Sequence, residues 1–122
     1  MSEIDDQAIR AWFAIRCRDP RRRTDGRKLQ IAHRWEPFTV RDPDHFGFFT
    51  EAGAWDYIAD CLEAGKRIDH LPPNNGFDDY AIYMLSVPAA GDRRIYMKVA
   101  VKQQSDIVIG ISFHYSTEEY RH

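Results

Sequence analysis

The 122 residues carry 19 acidic against 17 basic side chains, a net charge of −2, with 43% hydrophobic and 13% aromatic residues. This composition describes one soluble domain (1–122) able to bury a core, and it is too rich in rings for a disordered chain. No apolar run approaches the roughly 18 residues of a membrane helix, the acidic start MSEIDDQAIR is no export signal, and Cys17 and Cys61 stand in unrelated contexts. A cytoplasmic protein with reduced thiols and no membrane partner is therefore expected. His33, His45, His70, His114 and His122 lack ligand spacing among themselves or with cysteine, so neither a metal site nor a cofactor is expected.

Charge divides the chain. Residues 1–41 form a basic segment, ten Lys and Arg against six acids, whereas the remainder holds seven against thirteen. Within the segment, Ile4, Ala8, Trp12 and Ile15 recur at helical spacing, yet Ile9, Ala11, Phe13, Ile15 and Cys17 alternate with period two. The alternation favours a strand from Arg10 to Cys17. Pro20, Asp25 and Gly26 then make a turn, and Lys28–Trp35 alternates again, so Arg21, Arg22 and Arg23 would lie at the tip of an Arg-rich hairpin. Such a run could follow a phosphate backbone; it could equally be a solvated turn.

Pro37–Phe49 is a connector. Thr50 has the character of an N-cap, Trp55, Ile58, Ala59 and Leu62 make an apolar stripe, and Gly65 with Lys66 and Arg67 supplies a stop, which predicts a helix. Pro72–Gly76 marks a loop. Three strands follow at Tyr80–Val87, Arg93–Lys102 and Ile107–Ser116, with connections short enough for a meander. The expected class is α+β: a helix on a twisted antiparallel sheet that ends in the meander, with an α+β core over 49–116.

Pleating sorts the side chains. Ile95, Met97, Val99 and Val101 share one face with Ile107, Ile109, Ile111 and Phe113, leaving Arg94, Tyr96, Lys98 and Ala100 beside Gly110, Ser112, His114 and Ser116. A turn at Gln103–Asp106 sets Lys98 opposite Ser112, Tyr96 opposite His114, Arg94 opposite Ser116 and Gly110 opposite Ala100. Gly110 would leave that polar face open to a ligand. Such a cluster can act on a phosphodiester without metal: His114 moves a proton, Lys98 and Arg94 hold phosphate, and Tyr96 positions or donates. It is also what any solvent-facing sheet surface could look like.

The strings IYMKVAV and IVIGISFHYS, preceded by the helix AWDYIADCLEAG, resemble the end of the RelE-like ribonuclease superfamily, particularly MqsR-type toxins, over about Phe49–Ser116. The resemblance implies a toxin–antitoxin endoribonuclease that cleaves mRNA by attack of the ribose 2′-hydroxyl and is masked by a partner antitoxin. Tyr96, Lys98 and His114 match the family pattern, with Ser112 beside them. Residues 1–45 have no counterpart, and pI ≈ 6.2 departs from the basic character of that superfamily. The competing reading is a non-catalytic protein-binding module, such as an inhibitor, an immunity protein or a phage host-takeover factor. Trp12, Trp35, Phe38, Phe46, Phe48 and Phe49 supply either a stacking platform for bases or core.

Overall fold

Helix α2 (Glu51–Glu63) follows its sequence pattern closely. Thr50 Oγ1 accepts from the Gly53 N–H at 2.9 Å, Glu51 sets negative charge beside the free amides, and the whole apolar stripe is buried. Gly65, at φ +80°, turns the chain away while the Lys66 N–H donates to the Cys61 carbonyl at 3.0 Å. The computed structural model describes residues 2–3, 5–28, 33–72, 79–89, 91–102 and 104–116.

The strand expected at Arg10–Cys17 is instead helix α1 (Gln7–Cys17), capped by Asp6, whose carboxylate accepts from the Ala8 N–H at 2.8 Å. A strand would have buried Ala11 and Ile15 with Phe13; both are exposed, while Arg10, Phe13, Ala14 and Cys17 make a helical stripe against α2. Arg10 is buried in that seam and donates from Nη1 to the Leu62 carbonyl at 3.2 Å, satisfying one of the free carbonyls of the α2 C-terminus. Arg18 pairs with Asp60 and Glu63, both at 2.7 Å, and clips the helices together at the surface.

Among the described residues seven strands form one mixed sheet: β1 (Ser2–Glu3), β2 (Arg23–Asp25), β3 (Arg34–Trp35), β4 (Ile68–Leu71), β5 (Tyr80–Pro88), β6 (Arg94–Lys102) and β7 (Val108–Tyr115). They run in the order β1-β4-β5-β6-β7-β2, with β3 also on β7, and α1 and α2 make this an α+β architecture. The meander β5-β6-β7 is antiparallel, as its short connections require. The Arg-rich hairpin does not form among the described residues. Its first arm is α1, while β2 and β3 each pair in parallel with β7 and not with one another; residues 29–32 of the second arm lie outside the described residues. Of the loop at Pro72–Gly76, residues 73–76 also lie outside them.

A bulge in β7 sets the two faces. Tyr96 lies opposite His114 and Lys98 opposite Ser112, but Val99 then meets Gly110 and Ala100 meets Ile109, so Ile111 is the extra residue. Beyond it the faces exchange: Val108 and Phe113 join the core beneath the helices, whereas Ile109 and Ile111 pack with Ile82 and Ala100 on the other side. The expectation that Ile109 and Ile111 share a face with Phe113, and that Gly110 opposes Ala100, is thereby corrected. Gly110 does not open the polar face. It sits under Trp35, and a Cβ there would lie 2.6–2.8 Å from three indole carbons.

The core beneath the helices is aromatic. Trp35 lies 4.9 Å from Trp55 and 5.6 Å from Phe113, with Phe49 a further 4.9 Å contact of Phe113. Glu51 accepts from both indole N–H groups, at 3.2 Å from Trp35 and 3.3 Å from Trp55. One carboxylate thus ties the edge strand β3 to α2.

Candidate functional site

Tyr96, Lys98, Ser112 and His114 come together on the sheet face away from the helices, in the cross-strand pairs that alternation predicts. The His114 ring lies 5.4 Å from that of Tyr96, and the Lys98 ammonium 5.8 Å from the Tyr96 ring centroid. Ser112 and His114 are buried; Tyr96 and Lys98 are half-buried.

The imidazole is held in one tautomer. Its Nδ1 lies 2.7 Å from the Tyr115 carbonyl oxygen, which can only accept, so Nδ1 carries the proton and Nε2 carries the lone pair. Nε2 has no hydrogen-bond partner among the described residues. Burial holds the His114 pKa below 6.5; the Tyr115 carbonyl and Glu36 oppose that shift, while Arg34 and Lys98 add to it. The ring is therefore neutral at pH 7 and able to take a proton. Burial raises the Tyr96 pKa, which keeps the phenol protonated and a donor. Lys98 has no acidic partner among the described residues.

Arg94 is on the same face, with Ser116 beside it, the Ser116 N–H donating to the Arg94 carbonyl at 2.9 Å. Its guanidinium, however, donates to Ser86 Oγ at 2.9 Å and to the Ser86 carbonyl at 2.8 Å. Arg23 pairs with the start of β7, six residues or about 20 Å along the strand from His114. Arg21 and Arg22 pair with Asp19, Arg22 also with Asp106, and Arg23 donates to the Cys17 carbonyl. The three arginines fasten a turn and lie outside the polar cluster. Of the aromatic residues, Trp35 and Phe49 are core, whereas Phe38, Phe46 and Phe48 are exposed.

Two residues that local pattern did not single out border the site. In the β3–β7 register Arg34 lies beside Ser112, and the Glu36 N–H donates to the Phe113 carbonyl at 3.1 Å. Only parallel pairing across about 78 positions brings them there, and no sequence periodicity announces that. A cleft of about 660 Å³ opens on the helix side, between α1 and β4–β6, lined by Trp12, Phe13, His70 and Tyr83; the polar cluster is not in it. Among the described residues no three His, Cys, Asp or Glu gather as metal ligands, and no helix is long and apolar enough to cross a membrane.

Comparison with family models, curated proteins and solved structures returns no match.

Proposed function

We propose that the chain is a metal-independent endoribonuclease of the toxin–antitoxin type, acting through Tyr96, Lys98, Ser112 and His114. The single observation that carries this reading is the His114 imidazole, fixed on the Tyr115 carbonyl so that a neutral Nε2 shares one face with the Lys98 ammonium, which has no acidic partner among the described residues. His114 Nε2 takes the proton of the ribose 2′-hydroxyl as its oxygen bonds to phosphorus. The P–O5′ bond breaks, and the departing O5′ takes the Tyr96 phenol proton; solvent returns the proton from His114 to Tyr96. Lys98 and the Ser112 hydroxyl stabilise the charge on the non-bridging oxygens. The products are a 2′,3′-cyclic phosphate and a 5′-hydroxyl, and an antitoxin protein is the partner such an enzyme requires in its host.

Incubation with single-stranded RNA tests the proposal. Cyclic-phosphate ends should form with the wild type and fall on the order of 10²–10⁴-fold in His114→Gln, with Lys98→Met also impaired and both variants folded by circular dichroism. Wild type without cleavage, or cleavage indifferent to His114→Gln, would sink it. The protein-binding reading is favoured by a different observation: Phe38, Phe46 and Phe48 project from the connector, 57%, 103% and 54% exposed. Under it, a triple Phe→Ser variant would lose a protein partner while the His114 variant would keep it.

A further inference from the structure

We propose that Arg34, at the β3 edge, is a second phosphate ligand of this site, and that Glu36 holds its guanidinium until a phosphate displaces the carboxylate. The inference rests on the ribonuclease reading for the identity of the ligand, the scissile phosphate. Its placement rests on β3. Trp35 is buried against Gly110 and pairs with Phe113 in the helix-side core, so its neighbours 34 and 36 alternate to the opposite face. Register sets Arg34 beside Ser112, and continuing it sets Glu36 beside His114.

Two rows then cross the sheet. Arg34, Ser112 and Lys98 form one; Glu36, His114 and Tyr96 form the other. Neighbouring strands are about 4.8 Å apart, so a phosphate over Ser112 is flanked by a long cationic side chain from each side. Lys98 offers a compact point charge, whereas a guanidinium matches two phosphate oxygens at once. No other arginine named for this role is equally placed. Arg94 is engaged by Ser86, and Arg21, Arg22 and Arg23 are at the far end of β7.

Among the described residues the ionic partner of Arg34 is Glu36, with Nε and Oε1 at 3.7 Å and both side chains substantially exposed. A pair of this kind is weak and readily exchanged for a phosphate anion. Once displaced, the Glu36 carboxylate stays in the row of His114, where its charge favours the imidazolium that forms when Nε2 takes the 2′-hydroxyl proton. Arg34 thus binds the ligand, and Glu36 is a positioning residue for both Arg34 and the base.

The test uses the full chain with inorganic phosphate and uridine 3′-monophosphate as probes, followed by the NMR signals of the His114 ring, which are assigned by their loss in His114→Gln. Both probes should bind the wild type and raise the His114 pKa. Arg34→Gln should weaken binding about tenfold, the equivalent of one lost charge-assisted contact. Glu36→Gln should tighten it about two- to fivefold at low salt, and Arg94→Gln should leave it within about twofold. Undiminished binding in Arg34→Gln, or weaker binding in Glu36→Gln, would overturn the inference. RNA cleavage measured in parallel separates the two readings. Cleavage insensitive to Arg34→Gln removes this role and leaves the ribonuclease standing. Phosphate binding that depends on Arg34, in a protein that cleaves no RNA, supports the subsite and removes the ribonuclease.

Discussion

The two faces of the sheet are built on opposite terms. Beneath α1 and α2, Trp35, Trp55, Phe49 and Phe113 pack ring against ring, and the indole N–H groups close on Glu51. On the other face three strands contribute a small cluster of Ile82, Ala100, Ile109 and Ile111, with Leu71 and Tyr80 against it, bordered by Tyr96, Lys98, Ser112 and His114. One face closes its two indole donors on Glu51. Among the described residues the other presents a Lys98 ammonium without an acidic partner and a His114 Nε2 without a hydrogen bond. The comparison teaches that the aromatic side secures the sheet, and in doing so lets the polar side hold groups that contribute little to folding.

Trp55→Ala should break the comparison most strongly, since the indole is buried between α2 and β3; unfolding in denaturant should show a loss of about 3–5 kcal/mol. Gly110→Ala comes next. Its methyl must displace the Trp35 indole, at about 1–3 kcal/mol, and because Trp35 orients its neighbours it should also weaken phosphate binding by Arg34. Glu51→Ala strands two indole donors together with the Arg27 contact, for a loss within a similar range of about 1–3 kcal/mol, and should raise amide exchange at the β3 edge.

Lys98→Met sharpens the contrast from the other side. Its unfolding midpoint should move by no more than about 0.5 kcal/mol even as RNA cleavage collapses. The smallest effect is a pH dependence. His114 has a folded pKa depressed by burial, so the unfolded chain binds the extra proton first. Its contribution is fully present above the unfolded value of about 6.5 and is lost as pH falls through the folded pKa. Tyr96 packs against the ring, Arg34 and Lys98 add to the depression that burial causes, and the Tyr115 carbonyl and Glu36 oppose it. Denaturation midpoints from pH 8 to 5 should fall less steeply in His114→Gln than in the wild type.

Local pattern was most informative where one element made its own arrangements. α2 announced its cap, stripe and stop, and the meander announced its pairings as far as Lys98 and Ser112. The N-terminal segment misled because Phe13 and Cys17 fit both a period of two and a helical stripe; burial of Arg10 and exposure of Ile15, which decided the matter, come from packing against α2. Arg34 and Glu36 escaped notice for a related reason. Their place beside Ser112 and His114 is set by a parallel pairing over long sequence separation, anchored by Trp35 on a glycine that looked like an opening. The short strand β4 was equally silent, with four residues whose burial switches from closed to open midway.

The extra residue in β7 has a consequence for how such a surface could arise. A strand reads out its side chains in alternating phase, and Ile111 resets that phase once. Before it the odd positions face one side, and after it the even ones do. Removing Ile111 would leave a regular ladder in which Gly110 and Ser112 become neighbours and both halves keep their faces; only a straightened strand that retained Ile111 would turn the histidine toward the tryptophans or the isoleucines under the helices. The bulge thus absorbs one residue of the strand, so that loss of that single codon would leave the chemistry on the same surface of the sheet.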